Sequence, residues 1–252
     1  MNCRFPRPDA SCRLFCFPWA GGGASFYTAW GEDITEDVEV IGVCLAGREN
    51  RFNEPCCDNA KETIDWIVKT LHDEYFDKPF AFYGHSMGAL LSFLVALEIK
   101  RLYNKEPEHM FLSGTTAPHS PHRQARILNV NKLTKDEFLE KLKVLGGIPA
   151  EIYDNPELME IFYPSMYADF CMVPQLKYEQ SPEDKPPLNC PIDFFDGTED
   201  TDHDIAAWKQ VTKGSFTFRK MPGGHFFLKE PENTRKLINY VNQRFGGFED
   251  IC

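Results

Sequence analysis

The order of apolar segments along this 252-residue chain predicts an α/β fold, a mostly parallel sheet covered by helices on both faces. Two observations carry the prediction. Short apolar runs of strand length alternate with longer runs whose apolar residues recur three and four apart. Several of the strand-like runs, 13–17 and 38–45 first among them, are mostly apolar, the pattern of strands buried on both sides. With 42% hydrophobic and 26% charged residues, the chain has globular composition and enough apolar surface to need no disulfide or metal staple.

Residues 13–17 (RLFCF), stopped by Pro18, and 38–45 (VEVIGVCL) read as the first two strands. Ile64, Ile67, Val68 and Leu71 mark a helix between Asp58 and Tyr75. Residues 79–83 form the third strand, followed by a glycine-bounded turn and the apolar helix ALLSFLVALEIKRL. Residues 110–112, 192–195 and 215–219 complete the strands, with a helix through Trp208 between the last two. A final amphipathic helix opens near Pro231 and carries Leu237, Ile238 and Val241.

From 119 to 187 the alternation breaks. This stretch has no sheet strand but holds helix-like pieces at 134–144 and at 156–162, the latter leading into another. The chain therefore divides into a core, 1–118 and 188–252, and a helical subdomain, 119–187, with the proline-rich 181–187 returning to the sheet. Met159, Phe162, Met166, Phe170 and Val173 fall three or four apart. They read either as the small core of an extra helical layer or as the lining of a lid over an apolar ligand. There are no internal repeats.

Charge and cysteine usage narrow the class. The 27 basic against 38 acidic residues give −11, which argues against nucleic-acid binding, since phosphate neutralisation needs surplus Lys and Arg. Nine cysteines occur without a C-x-x-C pair, so neither a disulfide framework nor a zinc site has its spacing. No secretory leader and no membrane-spanning run is visible, and the expected setting is cytoplasmic with reduced thiols.

The sharpest chemical signal is Gly84-His85-Ser86-Met87-Gly88. A G-x-S-x-G match arises by chance in roughly one chain in ten of this length, but here a strand leads in and a helix follows directly. That is the context of the nucleophile elbow of α/β-hydrolases, and it makes Ser86 the candidate nucleophile. A serine needs a base, which in this fold follows in the order Ser, Asp/Glu, His. His225 lies in the loop between the last strand and last helix, where such a base belongs; His203, in TEDTDHD, reads as a solvated surface residue. The acid belongs after strand 192–195, where Asp196, Glu199, Asp200, Asp202 and Asp204 are candidates. Asp196 reads as a turn residue and Asp202 or Asp204 as a helix cap, while Asp200 lies far enough past the strand to reach back. The backbone N–H groups of Met87 and Ala20 are the candidate oxyanion donors. Ala20 sits in Pro18-Trp19-Ala20-Gly21-Gly22-Gly23, which lacks the lysine or spacing of a phosphate loop.

The strings FPWAGGGASFY (17–27), GRENR (47–51), KPFAFYGHSMGALL (78–91), LGGIP (145–149), MYADF (166–170), GTED (197–200) and PGGHFFL (222–228) run in unbroken order over about 12–245. In them the chain resembles the stand-alone (type II) thioesterases, with wording especially similar to the animal medium-chain fatty-acyl branch. The resemblance implies an α/β-hydrolase fold with a helical lid, no cofactor or metal, and hydrolysis of acyl chains from the phosphopantetheine arm of an acyl carrier protein. It implies Ser86, Asp200 and His225 as triad, Ala20 and Met87 as oxyanion donors, and a monomer by family default. It makes Met159, Phe162, Met166 and Phe170 the expected acyl-binding residues of the lid. Two positions depart from many relatives: Ala46 precedes Gly47 in place of proline, and Tyr167 replaces an arginine, which bears on chain length or carrier docking.

The implied partner is the carrier domain of a fatty acid synthase or, in an editing role, of a polyketide or peptide synthase. A small-molecule carboxylesterase would use the same triad, and a binding module would not need it. Carrier proteins are generally acidic, as is this chain. The basic residues at 123, 126, 132, 135, 141 and 143, and four more within 209–220, read as solvated helix faces or as local docking patches.

Overall fold

The computed structural model describes residues 1–125, 127–146, 150–180 and 184–246. Six strands, β1 (Cys12–Phe17), β2 (Val38–Gly42), β3 (Phe80–His85), β4 (Met110–Ser113), β5 (Ile192–Gly197) and β6 (Phe216–Met221), form one sheet of order β2-β1-β3-β4-β5-β6. Every pairing is parallel. The apolar run 38–45 outlasts β2 because Val43, Cys44 and Leu45 are buried in the loop that follows it.

Among the described residues, five helices longer than two turns accompany the sheet: α1 (Ala60–Tyr75), α2 (Met87–Tyr103), α3 (Lys135–Leu145), α4 (Pro156–Met172) and α5 (Pro231–Phe245). Their starts are written locally. Asn59 caps α1 by accepting from Glu62 N–H, Thr134 and Glu137 form a capping box on α3, and Asn155 accepts from Glu157 and Leu158 N–H ahead of Pro156. The expected helix through Trp208 is a single turn, Ala206–Lys209.

Period-two alternation sorts the strand residues to two buried faces. Phe15, Phe17, Phe80, Phe82, Leu112 and Phe194 meet α1 and α2 through residues such as Ile67, Leu71, Leu91 and Val95. Leu14, Cys16, Ala81, Tyr83, Phe111 and Phe195 face Tyr27, Trp30 and the Leu237, Ile238 and Val241 stripe of α5. Both faces being covered explains why these strands are apolar at nearly every position.

Between β4 and β5 the described residues contain no sheet strand, and α3 and α4 form a helical insertion. The two helix-like pieces expected around 156–173 are one helix, α4, with Pro164 inside it; Pro164 lacks the N–H that would bond four residues back. Val130, Phe138, Leu142, Met159 and Met166 make a separate small core for this insertion. The expected strap 181–187, the GGIP part of the string at 145–149 and Arg126 fall wholly or partly outside the described residues.

Candidate active site

Ser86 stands between β3 and α2 with φ 55° and ψ −119°, a conformation costing about 1–3 kcal/mol for a residue with a side chain. A Cβ at Gly84 would collide with the Gly88 carbonyl, and one at Gly88 with the Phe17 carbonyl. Both flanking positions therefore require glycine. Ser86 N–H donates to the Ser113 carbonyl at 2.8 Å, fixing the turn against β4.

His225 Nε2 lies 3.0 Å from Ser86 Oγ, and its Nδ1 lies 2.9 Å from Asp200 Oδ2. The side chains of His225 and Asp200 are 10% and 2% exposed. They meet because β5 and β6 are neighbours and the loops leaving them are knitted together. Thr198 N–H donates to the Met221 carbonyl at 2.8 Å and Glu199 N–H to the Gly223 carbonyl at 3.0 Å. Burial pushes the Asp200 pKa up, but the hydrogen bond with His225 and the neighbouring His225 and His203 imidazoles outweigh it and hold the carboxyl below its usual value.

The other acid candidates have different partners. Asp196 is fully buried beneath this loop, 3.0 Å from His203 Nδ1 and 3.3 Å from Lys220 Nζ. Asp204 accepts from Ala207 N–H at 3.3 Å and from Ser120 Oγ at 2.7 Å. His203 corrects its sequence reading: its side chain is 10% exposed and lines the Ser86 cavity rather than standing in solvent. The run TEDTDHD looks solvated, but its imidazole folds in over Asp196. Asp196, Asp200 and His203 also bring ligand-type atoms within 4.8 Å of one another; hydrogen bonds to His225, His203 and Lys220 account for this cluster.

Behind the relay, His85 is completely buried, with Nδ1 2.9 Å from Ser113 Oγ and its ring 5.0 Å from that of His225. Burial, then the neighbouring His225 and His203, push its pKa well below the usual imidazole value. A neutral ring thus supports His225.

Met87 and Ala20 both line the cavity holding Ser86 and His225. Among the described residues neither backbone N–H has a hydrogen-bond partner. The loop carrying Ala20 is held by a pair of residues that the motifs contained but whose role the sequence did not reveal. Asp169, fully buried on α4, accepts from Arg48 Nη1 at 2.6 Å, from Arg48 Nη2 at 2.8 Å and from Gly21 N–H at 2.7 Å. Arg48 Nη1 also donates to the Gly22 carbonyl at 2.9 Å. Glu49 accepts from Ala24 and Ser25 N–H at 3.1 and 2.9 Å. A lone acid in the apolar string MYADF was the only available signal.

Two cavities meet beside this loop, sharing Ala20, Leu142 and Phe170. One, of about 290 Å³, contains Ser86 and His225 with Leu90, Ile127, Leu128, Val173 and Arg123. The other, of about 210 Å³, is walled by Trp19, Ile152, Phe162, Met166, Phe170 and Phe226. Phe162, Met166 and Phe170 thus face a cavity, whereas Met159 lines neither and packs into the insertion's own core. Tyr167 also lines neither; its ring stacks on Tyr163 at 5.6 Å. Of the basic residues expected in surface patches, Arg123 is buried at 6% exposure, and Lys135 is paired with Glu160.

A parallel sheet with a serine in a strand-to-helix turn, and a His–Asp pair arriving from the last two strands, defines an α/β-hydrolase. Such an arrangement can pass a proton from serine to imidazole while a carboxylate fixes the tautomer. Residues 12–245 match the thioesterase domain, and the chain belongs to the thioesterase family. It is 38% identical to the medium-chain S-acyl fatty acid synthase thioesterase of Rattus norvegicus, covering 96% of this chain and 90% of that one. It is 36% identical to the gramicidin S biosynthesis protein GrsT of Aneurinibacillus migulanus, covering 88% and 84%. Among solved structures, the RedJ thioesterase from the prodiginine biosynthetic pathway in Streptomyces coelicolor superimposes with a TM-score of 0.81 at 29% identity, covering 94% and 92%.

Proposed function

We propose that the protein hydrolyses medium- to long-chain fatty acyl thioesters from the phosphopantetheine arm of an acyl carrier protein, terminating chains in fatty acid synthesis. The observation that carries this reading is the unbroken relay Asp200–His225–Ser86, opening into a cavity beside a second, apolar one. Similarity to the rat medium-chain enzyme supports the acyl class.

In this reading His225 takes the Ser86 proton as Oγ attacks the thioester carbonyl, and Asp200 stabilises the imidazolium that forms. The N–H groups of Met87 and Ala20 receive the developing oxyanion, worth about 3 kcal/mol each. The thiol, with a pKa of about 8.5, leaves with little acid assistance. His225 then activates water to release the acid from the acyl-enzyme. The 119–187 insertion acts as a lid, and Phe162, Met166 and Phe170 hold alkyl chain at about 0.8 kcal/mol per buried CH₂. Eight free cysteines among the described residues support a reducing, cytoplasmic setting.

A second reading, an editing thioesterase that clears stalled acyl groups from a polyketide or peptide synthase, is favoured by the similarity to GrsT and RedJ. Fatty-acid release from a ladder of acyl carrier proteins loaded with short to long chains, with Ser86→Ala as control, separates the two. A peak at middle lengths, absent in the variant, is expected. A flat profile, or preference for acetyl and propionyl groups, refutes chain termination and favours editing.

A further inference from the structure

Arg123 is a buried cation of the Ser86 cavity that the relay does not use and that the fold leaves incompletely bonded. It stands in the short helical turn Pro121–Gln124 after β4, is 6% exposed, and lines the same cavity as Ser86 and His225. Its Nη2 donates to the Val173 carbonyl at 2.7 Å. Its Nη1 is buried and has no hydrogen-bond partner, and no carboxylate is paired with it among the described residues. Burial alone lowers its pKa, to about 10, so it remains cationic at neutral pH.

An unpaired buried guanidinium is costly. The desolvation penalty is several kcal/mol unless a partner restores the lost interactions. Arg48, the other buried arginine near the site, illustrates the usual remedy, since Asp169 answers it with two hydrogen bonds. Arg123 has only a carbonyl. Its unpartnered Nη1 is covered in this structure, so a small shift of the side chain would present it to an acceptor arriving with the ligand, and an anionic oxygen matches it best in charge and geometry. The rest of the cavity wall offers Leu90, Ile127, Leu128, Leu142 and Val173, apolar surface for a chain attached to Ser86 in the same cavity as the guanidinium. Lys141, on the same wall, adds a second positive charge.

We propose that Arg123 is an anion-binding, specificity-determining residue of the Ser86 cavity, and that it takes an oxyanion carried by the thioester substrate itself. Two parts of such a substrate supply that chemistry: a carboxylate on the acyl chain, or the phosphate of the thiol arm. The inference rests on the thioesterase reading and deepens it, by assigning the residue that reads a negative charge on the acyl chain or on the thiol arm.

The test compares matched thioesters on wild type, Arg123→Met and Arg123→Lys. N-acetylcysteamine thioesters, which lack phosphate, are made with decanoyl chains ending in methyl or in carboxylate. Decanoyl pantetheine and decanoyl phosphopantetheine isolate the phosphate. In Arg123→Met the kcat/KM preference for the charged member of one pair is expected to fall roughly tenfold to hundredfold, the worth of a hydrogen bond to a charged group. Arg123→Lys should recover part of it. The pair that responds identifies the source of the anion. Preferences unchanged in both pairs overturn the proposal.

Calorimetry on Ser86→Ala, with and without Arg123→Met, supplies a readout without turnover. Decanedioate and phosphopantetheine are the probes, and one of them should lose affinity by a similar factor when Arg123 is replaced. Equal affinities overturn the anion site even if the enzyme is active. If wild type hydrolyses none of the thioesters, the thioesterase reading fails, while the calorimetric comparison still decides the role of Arg123.

Discussion

Replacing Asp169 with alanine removes three hydrogen bonds at once, two from Arg48 and one from Gly21 N–H. The Arg48 side chain is 9% exposed, so the substitution leaves an uncompensated buried cation, a defect worth about 3–5 kcal/mol. The local structure relieves it by letting Arg48 move toward water, and the glycine loop then loses its anchor on α4. Ala20 precedes the freed Gly21 directly, and displacing one oxyanion donor costs about 3 kcal/mol, roughly a hundredfold in kcat. Asp169→Ala is therefore expected to lower kcat about a hundredfold on an acetyl thioester, a substrate too short to engage the helical insertion, with little change in KM. Asp169→Asn retains an oxygen for Gly21 N–H and should keep more of kcat while still losing thermal stability through Arg48. Steady-state kinetics and melting curves on both variants provide the assay. Wild-type kcat in Asp169→Ala would refute the view that the insertion holds the oxyanion loop in register.

Three further outcomes are expected. Asp200→Asn leaves the relay geometry in place but presents the wrong partner to His225, so kcat should fall by about 10⁴-fold without loss of Ser86 labelling by a strong fluorophosphonate at long times; near-normal kcat would exclude Asp200 as the acid. Asp193, whose side chain is 3% exposed, is pushed up by burial but pulled down to about 2 by hydrogen bonds from His109, Thr217 and Arg244. A carboxyl lowered on folding stabilises fully above its unfolded pKa of about 3.9 and loses that contribution as pH falls toward 2, so Asp193→Asn should cost about 2.5 kcal/mol at neutral pH and flatten the acid limb of stability, measured by urea unfolding. Met159→Ala should destabilise by about 2–5 kcal/mol and leave the acyl-length profile alone, whereas Phe170→Ala should change that profile; the reverse pattern would show that the two residues are misassigned.

Most of the sheet was legible because β1, β3, β4 and β5 are buried on both faces, which writes runs such as RLFCF and FAFYGH as nearly continuous apolar strings. Ser86 was legible because backbone geometry demands glycine at 84 and 88, a constraint local to five residues. His225 followed from its place after the last strand. What escaped depends on residues remote in sequence. The Arg48–Asp169 pair joins positions 121 apart, and nothing local distinguishes an acid aimed at a loop from one in solvent. His203 was misread for the same reason: a string of charges looks exposed until Asp196 and Lys220 arrive from β5 and β6. Helical spacing placed Met159 with Met166, but it cannot tell which part of a helix packs on its own subdomain and which part faces a cavity.

The insertion has its own small core of Val130, Phe138, Leu142, Met159 and Met166, and its polar ties to the sheet domain include Asp169 with Arg48 and Gly21, Gln175 with Ala60 and Asp58, and Ser120 with Asp204. A unit built this way can open without melting the sheet. Because Gly21 N–H is bonded to the insertion rather than to its own domain, that single amide belongs thermodynamically to α4. Its hydrogen exchange should keep pace with the α4 amides and run faster than those of β1 only a few residues away. Activity is therefore expected to be lost on warming before the sheet unfolds, which activity and circular-dichroism melts on one sample would check.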